Sequence, residues 1–263
     1  MRTPSKFVVV FLCMLAGFWA SAIGAAMEVV LPQIASTIAI SGNAYNGILL
    51  AGSLVSAVCY FLIGHLSDRF GKKRLLFWGT LLTFVSVIIC GITSQAYLLI
   101  IGNAAMSIGG AVLYVNALAL GCSSFEQHAS GKVIGLISAG IYAGRMLGPS
   151  LAGWLTAVVS WRWVFGFFAL FGIVIFILLT KVKEQLPERK PEHLDWQGIC
   201  IFGLGIVGFI YGFTEASSDI RYLFCSLIGI ILFVIFVYWE KRVPNPILPM
   251  SLFRNRKLTL SLL

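Results

Sequence analysis

Eight apolar runs of about twenty residues, near 8–31, 46–64, 75–93, 97–120, 133–157, 163–180, 197–214 and 222–238, constrain this chain more than any other feature. Wound as a helix at about 1.5 Å per residue, a run of that length reaches roughly 30 Å, the thickness of bilayer hydrocarbon. The strands of an outer-membrane barrel are alternating segments of roughly ten residues, so longer continuous runs exclude that architecture. Composition points the same way. The chain is 59% apolar and 11% charged, against roughly 45–50% and about 25% in a soluble domain. Those values exclude a water-soluble globule and, equally, a disordered chain. The expected fold class is all-α, a polytopic transmembrane helix bundle. The first run is expected to be a membrane span and not a signal peptide: Arg2, Lys6 and Ala20-Ser21-Ala22 imitate one, but the apolar stretch continues to Leu31, past the usual apolar region.

Charge supplies an orientation. Of 19 Lys and Arg residues, 16 fall on one side when the N-terminus is placed in the cytoplasm. Arg162 and Arg221 fall on the other side, and Arg145 lies inside span 5. This asymmetry predicts a cytoplasmic N-terminus in a multi-pass plasma-membrane protein. The formal charge of +9 therefore reads as a topology signal, with no nucleic-acid partner expected. Six cysteines at 13, 59, 90, 122, 200 and 225 show no C-x-x-C spacing, so neither a disulfide framework nor a metal site is expected. The organisation expected is a six-helix bundle at 1–180, a cytosolic linker at 181–196, a helix pair at 197–238, and at 239–263 a second linker with the start of a ninth span. The apolar run that opens at Leu258 reaches only Leu263, too short to cross, which predicts the front part of a longer protein.

Between spans 2 and 3 stands Gly64-His-Leu-Ser-Asp68-Arg69-Phe-Gly71-Lys72-Lys73-Arg74. Gly64 is expected to allow close helix approach, Gly71 to adopt the positive φ of a tight turn, and Asp68 is an acid at an otherwise basic membrane face. The pattern resembles the loop signature G-x-L-x-D-R-x-G-r-k-r of the major facilitator superfamily. That resemblance implies that Asp68 braces a helix end of a second six-helix bundle and that the loop gates transport. The family's arginine partner in the loop between spans 4 and 5 is replaced by Ser130, with Lys132 two residues on.

Span 5 carries Gly140, Gly144, Gly148 and Pro149. Residues four apart stay on one helix face, so the glycines form a groove for another helix backbone, and Pro149 adds a bend. The run resembles the G-x-x-x-G-P motif of the antiporter branches, which implies a hinge. With no second bundle in the chain, the groove is expected to face lipid or a second copy. In span 4, Asn103 and Met106 stand where the family pattern has arginine and glutamine. Leu194-Asp-Trp-Gln-Gly198, Trp161-Arg162-Trp163-Val-Phe165 and Pro246-Ile-Leu-Pro-Met-Ser-Leu-Phe253 resemble the fourteen-span drug:proton antiporters.

Glu28 and Arg145 are the two ionisable residues well inside the spans of the first bundle. A charge in hydrocarbon costs several kcal/mol, so it faces a bundle interior or an aqueous cavity and marks a pathway. A direct Glu28–Arg145 pair would have to bridge a difference in depth. The expected function is secondary active efflux of a small amphipathic compound coupled to protons, with Glu28 as proton acceptor and Asn103 and Arg145 as polar groups of the pathway. The alternative is a non-transporting membrane remnant, or a half-transporter that associates with itself or a second half. No serine–histidine, paired-aspartate or metal-ligand arrangement occurs within the spans, so no enzyme activity is expected. No nucleotide-binding loop occurs either, and no cofactor is expected.

Overall fold

The computed structural model describes residues 6–38, 42–125, 127–182, 195–215 and 219–243. These residues fold into long helices: α1 (Lys6–Ile38), α2 (Gly42–Phe70), α3 (Lys72–Ile92), α4 (Ala96–Ser123), α5 (Gln127–Val158), α6 (Trp161–Lys181), α7 (Trp196–Glu215) and α8 (Leu223–Glu240). No strand occurs among the described residues. The chain divides into two compact units, Met1–Glu188 with α1 to α6 and Arg189–Leu263 with α7 and α8.

Seven of the helices are long and apolar enough to cross a membrane. The exception is α5. Its 32 residues would reach about 48 Å, but glycines, serines and Arg145 dilute its hydropathy.

Apolar lipid tails supply no hydrophobic push between helices, so close packing must hold the first unit together. The glycines of α5 show how. A Cβ at Gly140 would lie 2.9 Å from the Met14 carbonyl oxygen, one at Gly144 3.0 Å from Phe18 Cα, and one at Gly148 2.8 Å from Ala22 Cα. The α1 backbone therefore lies in the groove of α5, and the paired numbers rise together, so the two helices run parallel. This corrects the expectation that the groove faces lipid or a second copy: α1 of the same chain fills it. Between α3 and α4 the glycine contacts run the opposite way. Gly79 meets Val112, Gly109 meets Thr83 and Gly102 meets Cys90, an antiparallel pair. Trp19 on α1 is wholly buried and packs with Phe84 of α3 into the space left by Gly172 of α6.

The turn between α2 and α3 is a single residue, Gly71, with φ 90°. That conformation strains a residue bearing a Cβ, so the expectation for Gly71 holds. Gly64 behaves otherwise. No described atom lies within 4 Å of where its Cβ would stand, so it makes no close helix approach, because α2 turns that face to open space.

In the second unit α7 and α8 form an antiparallel hairpin. Gly212 meets Ser226, Gly208 meets Cys225 and Gly229, and Ser226 Oγ donates to the Phe209 carbonyl at 3.2 Å. Asp195 caps α7 by accepting from the Gly198 amide at 3.0 Å, and its other oxygen accepts from the Trp239 indole at 2.9 Å.

Candidate functional site

Four helices of the first unit surround a cavity of about 470 Å³. Its shape follows from the packing. α1 seats on α5 and on α4, and α2 leans on α4 while barely touching α1, which leaves a cleft between α2 and the α1–α5 pair. Each helix contributes one face. From α1 come Ala20, Ser21, Gly24, Met27 and Glu28; from α2 Leu49, Gly52, Ser53, Ser56 and Tyr60; from α4 Asn103, Met106, Ser107, Gly110 and Tyr114; from α5 Ile141, Tyr142 and Arg145. The spacings of three and four residues are those of one helical stripe.

Glu28, Asn103 and Arg145, singled out separately in the sequence, thus line one cavity. They serve different local roles. Asn103 is buried and its Nδ2 donates to the Ile48 carbonyl of α2 at 2.7 Å. It is a clamp between α4 and α2 as well as part of the wall. Gly52 makes room for it, since a Cβ there would lie 2.7 Å from that nitrogen. Glu28 and Arg145 are both exposed to the cleft and form no ion pair with each other. The α1–α5 register gives the reason: it places Arg145 level with Trp19, nine residues below Glu28, or about 13 Å along the helix.

Both charged residues stand four positions before a proline inside their helix, Glu28 before Pro32 and Arg145 before Pro149. Proline has no N–H, so the carbonyls of Glu28 and Arg145 lack the donor that a helix normally supplies four residues on. α5 nevertheless runs unbroken through Pro149.

Sequence reasoning missed the neutral part of the wall. Tyr60 and Tyr114 meet edge to face with centroids 5.4 Å apart, and Ser53, Ser56 and Ser107 bond back to the carbonyls of Leu49, Gly52 and Asn103 at 3.0, 2.6 and 2.8 Å. The usable signal was the polar stripe on α2 and α4, which a search for charges passes over.

The loop motif lies at one end of this unit. Arg69 and Arg74 are exposed, Lys72 and Lys73 are half-buried, and the Arg69 guanidinium lies 5.4 Å from the ring centroid of Phe70. The Asp68 side chain lies outside the described residues, as do the linker at 183–194 and the segment 244–263. Ser67, one residue before Asp68, is buried and donates to Asn116 Oδ1 at 2.6 Å, while Asn116 Nδ2 donates to the Val112 carbonyl at 2.9 Å. This polar pair fixes the end of α2 on α4. Among the described residues no group of three or more His, Cys, Asp or Glu is placed to hold a metal ion.

A family model described as Major Facilitator Superfamily matches residues 9–239. The chain belongs to that superfamily. It is 29% identical over 201 residues to "Multidrug resistance protein 3" of Bacillus subtilis, covering 74% of this chain and 39% of that protein. It is 27% identical over 214 residues to "Multidrug transporter protein MdtP" of the same organism, covering 78% and 39%. An "Acurin A biosynthesis cluster MFS-type transporter" of Aspergillus aculeatus is 26% identical over 264 residues, covering 95% and 48%. Among solved structures, the POT family transporter PepTSo superposes with a TM-score of 0.61 at 15% identity, covering 90% of this chain and 52% of that one, which is a likeness of fold. The superfamily chain described here thus spans about half or less of the length of these relatives and is a multi-pass membrane protein.

Proposed function

We propose that this superfamily member serves the efflux of small amphipathic compounds, coupled to protons, with the four-helix cavity as its half of the pathway. The observation that carries the reading is the meeting of Glu28 and Arg145 in one cleft walled by tyrosines, serines and apolar side chains. Two opposite charges that both face one cleft within the bundle, yet do not pair, need an aqueous or ligand-filled space to be stable. A cleft with charge held about 13 Å apart along the helix and apolar surface between suits a molecule that is polar at one end and apolar along its body. In this reading Glu28 takes up and releases the proton, Arg145 orients the substrate near mid-membrane, and the Asp68 loop with Gly64, Arg69, Gly71, Lys72, Lys73 and Arg74 gates the cytoplasmic side. Gly140, Gly144, Gly148 and Pro149 let α1 and α5 move as one pair. The N-terminus is cytoplasmic, as the basic loops predict.

The names of the two Bacillus relatives support the substrate class, and the shared fold supports a pathway lying between bundles. The test uses ethidium as an amphipathic probe. Binding to the purified chain should quench its tryptophans and weaken on Glu28→Gln, vesicles containing residues 1–263 alone should move no ethidium, and vesicles containing a protein with both bundles should move it when a proton gradient is imposed and stop when a protonophore dissipates it. Binding without gradient-driven movement even in the protein with both bundles would overturn the proton coupling. Absence of binding would overturn the assignment of the cavity.

A further inference from the structure

A second hollow lies on the first unit away from the α1–α2–α4–α5 cleft, between α3 and α6. It measures about 350 Å³ and is lined by Val87, Ile88, Gly91, Ile92, Phe165 and Gly166, with Arg162 and Trp163 at its mouth. Gly91 creates it. A Cβ there would lie 2.9 Å from Phe165 Cβ, so the two helices touch at that point and splay beside it. Gly166 faces open space, with nothing within 4 Å of its would-be Cβ. Ile92 and Trp163 are 74% and 62% exposed, which marks this as a bilayer-facing surface with an apolar furrow in it.

The polar end of the furrow is built around one cation. Arg162 Nη2 donates to Ser94 Oγ at 3.1 Å, and the guanidinium lies 4.2 Å from the Trp161 ring centroid. These contacts fix its position without neutralising it: the first turn of α6 has no acid, and no described carboxylate pairs with it. The helix dipole adds to the positive charge at this end of α6. Because α3 ends at Ile92 and α6 begins at Trp161, the cation sits at headgroup depth, with the exposed Trp163 beside it as an interfacial anchor. The furrow runs from there along α3 as far as Val87, about 7 Å toward the membrane middle.

We infer that this furrow is a binding site for an anionic phospholipid, its phosphate on Arg162 and Ser94 and the upper methylenes of one acyl chain between Ile88 and Gly166. A free anion would use only the arginine, and a neutral apolar molecule only the furrow. A lipid that carries net negative charge uses both. Occupancy would fix the α3–α6 edge of the bundle and leave the transport cleft untouched, so the site stands apart from the reading of the cavity.

The experiment is native mass spectrometry of the purified chain with phosphatidylglycerol and phosphatidylcholine of identical acyl chains. The wild type should retain one phosphatidylglycerol per chain in preference to phosphatidylcholine by roughly tenfold. Arg162→Gln should abolish the preference, and Arg162→Lys should keep part of it. Gly166→Leu, which fills the furrow from a position with open space, should weaken retention of both lipids with no change in melting temperature. Equal retention of the two lipids by the wild type, or an unchanged Gly166→Leu variant, would overturn the proposal. So would displacement of the lipid by millimolar inorganic phosphate, which would mark a simple anion site.

Discussion

Replacing Gly144 by alanine should separate packing from helix propensity. A Cβ at 144 would press on the Phe18 carbonyl and stand 3.0 Å from Phe18 Cα, whereas ordinary contact begins at 3.4 Å. α1 and α5 would have to part by roughly an ångström over a contact that also involves Gly140 and Gly148, and overpacking of this kind costs about 1–3 kcal/mol. Against it stands the gain of about 0.5–1 kcal/mol from removing a helical glycine. The expected net effect is a loss of up to about 2 kcal/mol. Gly135, on the same helix, is the control: nothing lies within 4 Å of its would-be Cβ, so Gly135→Ala should be neutral or stabilising. Thermal unfolding in detergent, read by a thiol-reactive dye, suits the question in a background that keeps only Cys13 and Cys90, because these two are wholly buried and react only once the helices separate. Equal shifts for the two variants would refute the claim that the groove is filled by α1.

Three further outcomes are expected. Asn103→Leu should loosen α2 from α4 by about 0.6 kcal/mol, and by no more than about 1.7, the range of interhelical hydrogen bonds in membranes; unfolding in detergent measures this, and no change would mean that the Ile48 carbonyl does not need the clamp. Asp68→Asn, in the context of a protein with both bundles, should leave insertion intact and impair ethidium efflux, whereas unchanged efflux would reduce the loop motif to a topology signal. In a cysteine-free background, an impermeant maleimide should reach Ser94→Cys from outside the cell and Arg74→Cys only from inside. Both native residues are exposed, unlike Ser67 at 2%, which would be a silent reporter; the reverse pattern would overturn the orientation.

The sequence alone determined that this chain is a membrane bundle and which superfamily loop it carries. Those properties depend on local quantities: the length of an apolar run against bilayer thickness, and a glycine at 71 placed where the chain must turn through positive φ. It also marked Glu28 and Arg145, because a charge inside an apolar run is conspicuous without any knowledge of its neighbours. What it left open was which helix faces which. A stripe of glycines announces close approach but not the partner, and only the three-dimensional packing assigns the α5 groove to α1 and leaves Gly64 facing open space. Partner choice depends on all six helices of the unit competing for the same faces, as does the cavity that results where α2 and α1 fail to meet. The tyrosines and serines of that cavity were hidden for the same reason. Neutral side chains become a site only when four separate stripes are brought to face one space.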